Sequence, residues 1–346
     1  MTKLNAIVTT EWLEKRLDDP SLRVVDITTY LRQPGAFSGV FRTVPFVGDE
    51  PSISGALQAD FYKGLTDAPS GAAFAINGTT MRLTLHPGAG NGGSYKFWSG
   101  RETYEEGHVP GAIYADINNF FDPNGQFPYT VASHEAFAEK AGELGIGEPG
   151  THVVIYDQGV GISFWASRLW WQLRLEGFDN VAVLEGGFAK WAAERRPVSS
   201  DPRVLPPIAF ASRRRPELLV STEEVAAAIG DPSQLIVDSL SPADYSGEAC
   251  SYGGRGHIPT SVNVFCNNHT DPRDNTLLAD DLLKTRLAPL GVLDVDRRVI
   301  TYCGGGFGAT WNALVLHHLG KTDVAVFDGS MFEWSADPTR PLETSL

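Results

Sequence analysis

Cysteine is scarce. The 346 residues hold three, Cys250, Cys266 and Cys303. An odd, small number in a chain of this length excludes a disulfide-stapled scaffold. No Cys-x-x-Cys pair and no Cys/His spacing of a zinc site occurs, so no metal centre is expected. Positive charge is also short: 28 Lys and Arg face 42 Asp and Glu, a formal net charge of −14. Phosphate backbones repel such a chain. The one compact basic run, Arg213-Arg214-Arg215 beside Pro216, reads as a solvated linker, so nucleic acid is not an expected partner. No run of about 20 apolar residues exists, which argues against a helical membrane span. The most apolar helical stretch, Phe164 to Leu175, is broken by Arg168 and Arg174. The start, Met1-Thr2-Lys3-Leu4-Asn5, lacks the apolar core of a secretory leader. Together with the cysteine count this makes a reducing compartment, the cytoplasm, the expected location.

What is present is a long internal repeat. Leu22-Arg23-Val24-Val25-Asp26 returns as Gln234-Leu235-Ile236-Val237-Asp238, and Gly107-His108-Val109-Pro110 as Gly256-His257-Ile258-Pro259. Val153-Val154-Ile155-Tyr156-Asp157 returns as Val299-Ile300-Thr301-Tyr302-Cys303. Leu184-Glu185-Gly186-Gly187 returns as Phe327-Asp328-Gly329-Ser330, and Trp191 as Trp334. The order is kept, which marks a duplication. His108 lies 82 positions after Asp26 but His257 only 19 after Asp238, so the first half carries 63 extra residues between Tyr30 and Tyr104. The expected organisation is a first domain over 1–196 with an insertion at about 31–103, a linker over 197–216, and a second domain over 217–346. The linker reading rests on five prolines and the arginine run.

Each half alternates short apolar runs with helical patterns. Val24–Ile27, Val153–Tyr156, Val181–Leu184, Leu235–Val237, Val299–Tyr302 and Val324–Phe327 have the near-continuous apolarity of strands buried on both faces of a parallel sheet. Ser133–Leu144, Ser163–Leu175, Thr222–Ile229, Asp280–Leu290 and Thr310–Leu319 read as helices. Capped helix starts are expected near Thr10 and at Ser221-Thr222-Glu223-Glu224. The fold class is therefore α/β: two domains, each a mainly parallel sheet flanked by helices. Within the insertion, Thr80–His86 alternates like a strand, and an addition this long is expected to form a hairpin subdomain rather than bare loop.

The chemistry concentrates at Cys303. It ends an apolar run and precedes Gly304, Gly305, Gly306, Phe307, Gly308 and Ala309, with four glycines in five positions. Sites in open α/β sheets form at strand carboxyl ends. Small residues there let successive N–H groups converge into an anion nest, and a helix starting near Ala309 adds its positive end. Such surroundings favour a thiolate or a persulfide. A cysteine here also fits as a small buried hydrophobe.

Three ordered motifs carry a family resemblance. Tyr104-Glu105-Glu106-Gly107-His108-Val109-Pro110-Gly111-Ala112 and Phe327-Asp328-Gly329-Ser330-Met331-Phe332-Glu333-Trp334 resemble the two rhodanese signatures. Cys303-Gly304-Gly305-Gly306-Phe307 is similar to the active loop of 3-mercaptopyruvate sulfurtransferases. The resemblance, to tandem-domain sulfurtransferases of the rhodanese superfamily, implies two rhodanese-like domains and a Cys303 persulfide. It implies a small anionic sulfur donor, 3-mercaptopyruvate or thiosulfate, a thiophilic acceptor such as cyanide or a thiol, and no cofactor. It implies that the backbone amides from Gly304 to Ala309 hold the persulfide. It also implies an inactive first domain, since Asp157 stands where the nucleophile would be. The cations that such enzymes place in or upstream of the loop are missing. Arg255 is the nearest candidate for binding the substrate, against its reading as a surface residue in a glycine turn. A non-catalytic scaffold on the same fold is the rival reading. His108, His257, Asp26 and Asp238 are duplicated and read as scaffold. The Gly88–Gly93 run reads as a turn, and His317-His318 as a packing or surface pair.

Overall fold

The computed structural model describes residues 4–32, 38–44, 73–76, 79–86, 96–147, 150–159 and 162–345. The first half runs β1 (Ile7–Val8), α1 (Thr10–Glu14), β2 (Leu22–Asp26), β3 (Thr29–Arg32), β4 (Ser38–Val44), β5 (Ala73–Ile76), β6 (Thr79–His86), β7 (Lys96–Ser99), α2 (Arg101–Glu106), β8 (Ala112–Tyr114), α3 (His134–Glu143), β9 (His152–Tyr156), α4 (Phe164–Leu175), β10 (Val181–Leu184) and α5 (Gly187–Ala193). The second runs β11 (Leu219–Val220), α6 (Thr222–Ala228), β12 (Gln234–Asp238), α7 (Pro242–Ser246), β13 (Val262–Asn263), α8 (Asp280–Leu287), β14 (Arg298–Tyr302), α9 (Phe307–His318), β15 (Val324–Phe327) and α10 (Ser330–Trp334).

The apolar runs become the inner strands. Val153, Ile155, Val299 and Ile300 are fully buried. Each half forms a five-stranded sheet, ordered β1-β10-β9-β2-β8 in one and β11-β15-β14-β12-β13 in the other. Every pairing in both sheets is parallel. Parallel neighbours cannot be joined by hairpins, so helices cross over and cover the faces. The duplication is thus reproduced strand for strand. Ser221 caps α6 with Glu224 in a reciprocal capping box, and Thr9 caps α1 through the Trp12 amide at 3.1 Å. The helix expected from Thr310 starts at Phe307 instead, because left-handed Gly306 forms its N-cap.

The matched motifs do matched work. Asp26 pairs with Tyr156 across one sheet, and Asp238 with Tyr302 across the other. The Tyr302 hydroxyl donates to the Asp238 carboxylate at 2.6 Å and accepts from the Ile258 amide at 3.0 Å. The Val109 amide donates to Tyr156 in the same way, at 3.1 Å. His108 stacks on Tyr104 at 4.0 Å, and His257 on Tyr245 at 3.7 Å. Each Nδ1 bonds the carbonyl of its stacking partner. Trp191 and Trp334 donate to the Pro197 and Pro341 carbonyls at 2.7 and 3.0 Å, tying down the segments that follow.

Arg213 of the arginine run is exposed as expected, but Arg214 and Arg215 are half-buried and paired, contrary to expectation. Arg214 pairs with buried Glu176 at 3.1 Å, and Arg215 with Asp179 at 2.6 Å. The segment is strapped to the first domain because the acidic end of α4 attracts it. In the insertion, β4, β6 and β5 form an antiparallel sheet and β3 pairs with β7. The Gly88–Gly93 run lies outside the described residues. Among the described residues no helix is long and apolar enough to cross a membrane.

Burial pushes the Asp238 carboxyl up to about 7, against the Tyr302 and Leu240 hydrogen bonds that favour the charged form. The folded carboxyl therefore holds its proton where the unfolded one has lost it. Its contribution to stability is complete below pH about 4 and is lost as pH rises through 7. In Asp238→Asn, the Tm difference between pH 5 and pH 7.5 should shrink relative to the parent chain in thermal melts. An unchanged difference would contradict this assignment.

Candidate active site

Cys303 leaves β14 at its carboxyl end and is buried. Its own amide donates to the Ser330 hydroxyl at 3.1 Å, and its carbonyl accepts from the Met331 amide at 3.0 Å. The strand end is thereby tied to α10. Ser330 itself sits at φ +50 and passes its hydroxyl proton to the Phe327 carbonyl. From this anchored start the chain curls, and the Gly306 amide points back at the Cys303 sulfur at 3.2 Å. The curl needs φ +89 at Gly306, which only glycine adopts without strain. α9 then begins at Phe307, so the amides of Phe307, Gly308 and Ala309 lie in its first turn.

The other predicted loop residues have definite neighbours. A β-carbon on Gly304 would overlap the Tyr252 ring, so that ring lies directly on the loop. One on Gly305 would come within 3.0 Å of Phe332 and 3.1 Å of Tyr129. Phe307 stands edge-on to Trp165 at 5.0 Å and to Tyr129 at 5.5 Å. Gly308 faces Cys266, whose sulfur would be 3.1 Å from an added β-carbon. Burial pushes the Cys266 thiol well up, and the neighbouring Cys303 adds to this. The Ala309 carbonyl accepts from Thr301 at 3.1 Å. Arg255 is exposed, and its guanidinium donates to the Gly247 and Glu248 carbonyls, where it holds the glycine turn.

Sequence reasoning missed Arg168. It comes from α4 of the first domain and is fully buried. Its guanidinium pairs with Asp328 at 2.5 Å and donates to the Tyr129 carbonyl at 2.9 Å. A β-carbon on Gly306 would sit 2.5 Å from the same guanidinium. The other Asp328 oxygen accepts the Val131 amide at 2.8 Å. An arginine inside an otherwise apolar helix was the available signal, since such a charge must meet a buried anion. The roof residues Tyr129, Tyr252 and Phe332 carried no comparable signal.

The first domain shows the same nest with a different occupant. The Asp157 carboxylate accepts the Gly159 amide at 2.9 Å and the Ala166 amide at 3.2 Å. Burial pushes that carboxyl up to about 6, against the pull of those amides. The covering contact there is neutral: the Asn275 amide nitrogen donates to the Gly159 carbonyl at 2.6 Å. Each domain thus lends a loop that covers the other's nest.

These features have counterparts. The rhodanese-like domain profile matches residues 99–194 and 221–337. Thiosulfate/3-mercaptopyruvate sulfurtransferase 1, mitochondrial, of Arabidopsis thaliana is 33% identical over 267 residues, 70% of this chain and 69% of its own length. Thiosulfate sulfurtransferase of Bos taurus is 36% identical over 239 residues, 68% of this chain and 79% of its own. Among solved structures, SseA from Escherichia coli, described as a 3-mercaptopyruvate sulfotransferase, is similar with a TM-score of 0.66. Its identity is 25%, over 94% of this chain and 99% of its own. The chain belongs to the rhodanese-like family, with the domain present twice. Within that family it is an enzyme of the sulfurtransferase type.

Gly306→Ala should cost at least about 1 kcal/mol in urea denaturation, from left-handed strain plus displacement of the Arg168 guanidinium. Gly320 has a similar φ of +97 with nothing within 4 Å of an added β-carbon. Gly320→Ala therefore reports backbone strain alone and should cost less; equal losses would show that the Arg168 contact is immaterial.

Proposed function

We propose that the chain moves a sulfane sulfur from a small anionic donor to a thiophilic acceptor through a persulfide on Cys303. The observation that carries this reading is the Gly306 amide, the N-cap of α9, aimed at the sulfur of the cysteine that follows β14. Backbone donors aimed at a sulfur stabilise negative charge on it without a Lys or Arg in the loop. The donors named for the relatives are thiosulfate and 3-mercaptopyruvate, and both carry the negative charge that such a nest accepts.

With thiosulfate the electrons balance simply. The Cys303 thiolate attacks the outer sulfur, the S–S bond of the donor breaks, and sulfite leaves with the bonding pair. Cyanide or a thiolate then attacks the terminal sulfur of the persulfide and returns Cys303 as thiolate. Gly304, Gly305, Phe307, Gly308 and Ala309 form the wall and amide surface of this site. Arg255 is the less suited of the available cations, since solvent screens it and two carbonyls hold it. Asp157 fills the equivalent nest with a poor sulfur nucleophile, which supports a non-catalytic first domain. We further infer boundaries at 1–196, 197–216 and 217–346. The three free cysteines suit a reducing compartment, and we infer the cytoplasm.

Intact mass after donor treatment should rise by one sulfur, and Cys303→Ser should not show the gain. Cyanide-dependent thiocyanate formation should fall at least about 1000-fold in the same variant. No mass gain with either thiosulfate or 3-mercaptopyruvate would overturn the persulfide reading.

A further inference from the structure

The loop from Cys303 to Ala309 contains no Lys, Arg or His, and the chain as a whole is strongly acidic. A nest of amides alone must then hold sulfur anions against a repulsive background. The tertiary structure brings a guanidinium, paired with Asp328, to the loop from the other domain. Arg168 is fully buried, and its guanidinium lies against Gly306, the residue whose amide points at the sulfur. Aromatic rings surround it, with Trp171 at 4.9 Å, Phe307 at 5.5 Å and Phe121 at 5.7 Å. In such surroundings its field is weakly screened.

We propose that Arg168 is the positioning cation of the Cys303 loop, holding the Gly306 amide toward the sulfur and favouring the anionic form of Cys303. This rests on the assignment of Cys303 as the sulfur carrier. The contrast within the molecule supports it. The first-domain nest, with no sulfur, is covered by neutral Asn275, whereas the second is covered by an arginine. The active domain therefore lacks its cation unless the first domain is docked, which gives the silent domain a chemical role. Asp328 opposes Arg168, because its carboxylate also borders Gly306, 3.1 Å from an added β-carbon. The remaining ionisable neighbours are Cys266 behind Gly308, Tyr252 over Gly304 and Tyr129 at Gly305. Asp238 and Tyr302 pair at the neighbouring strand ends.

The two charges make opposite predictions. The rate of Cys303 alkylation by iodoacetamide is measured against pH in the full chain, with exposed Cys250 as internal reference. Arg168→Gln should raise the midpoint and slow labelling at pH 7 about tenfold. Asp328→Asn, whose side-chain oxygen can still accept the Val131 amide, should lower the midpoint and speed labelling. Arg168→Lys should lie nearest the parent. A purely structural ion pair would move both charge-removing variants the same way, and that result overturns the proposal. So does an unmoved midpoint in a folded Arg168→Gln. Should Arg168→Gln not fold, Asp328→Asn decides alone, and an unchanged or raised midpoint overturns the proposal. The profile needs no sulfur donor, so its outcome is separate from the mass test of the persulfide. Sulfur gain on the parent with the wrong midpoints rejects Arg168 only, whereas no gain with the expected midpoints rejects the carrier assignment only.

Discussion

A buried charge must meet its opposite, and the Arg168–Asp328 pair imposes that requirement across the domain interface. The guanidinium is fully buried on α4 and the carboxylate nearly so, at the end of β15. Separating the domains would leave each charge either unpaired or hydrated, so their distance is held to ion-pair length. The same carboxylate takes the Val131 amide, and the same guanidinium takes the Tyr129 carbonyl. The covering loop of the first domain is therefore placed on the Cys303 loop of the second by one ion pair and the Val131 hydrogen bond, while Arg168 also holds that loop through Tyr129. Helices α4 and α9 lie side by side at this interface, with Ser167 and Thr310 3.4 Å apart.

Duplication then explains both the symmetry and its breaking. Both sheets have the same order, and both strand ends carry a nest closed by a left-handed glycine. The Val131 amide on Asp328 has its counterpart in the Leu277 amide on Glu185, at 3.2 Å. What differs is the occupant. A carboxylate in the first nest fills it permanently, and burial leaves that carboxyl easier to protonate. A sulfur in the second accepts one amide bond and keeps the rest of the surface for an incoming anion. The tyrosine and tryptophan ties around each nest are the same, so they belong to the scaffold. The two nests differ in the one residue that was exchanged and in what covers it.

The net charge of −14 bears on the same point. In an acidic molecule, cations are drawn to carbonyls and carboxylates, and Arg168 with Asp328 is one such pair. Exposed Arg255 is held by two carbonyls, and Arg214 and Arg215 are drawn to the acidic end of α4. A charge buried among aromatic rings escapes most solvent screening. Trp171, Phe121 and Phe307 provide that wall around Arg168.

Local pattern was sufficient for much of this. Apolar runs without polar alternation marked the parallel strands, the repeated Asp, His and Trp marked the duplication, and Cys303 before four glycines marked the nest. Helix starts shifted where caps depended on backbone shape: α9 begins three residues before Thr310 because Gly306 turns left-handed. The arginine run read as solvated because its partners, Glu176 and Asp179, are distant in sequence. By itself the sequence determined the fold class and the two halves and singled out Cys303 as the candidate, since each is written in spacing along the chain. Only the tertiary structure decided which cation lies against the Cys303 loop and which rings cover it. Those contacts join residues far apart in the chain, Arg168 with Tyr129 39 positions away and with Asp328 160 positions away, and no local periodicity records them.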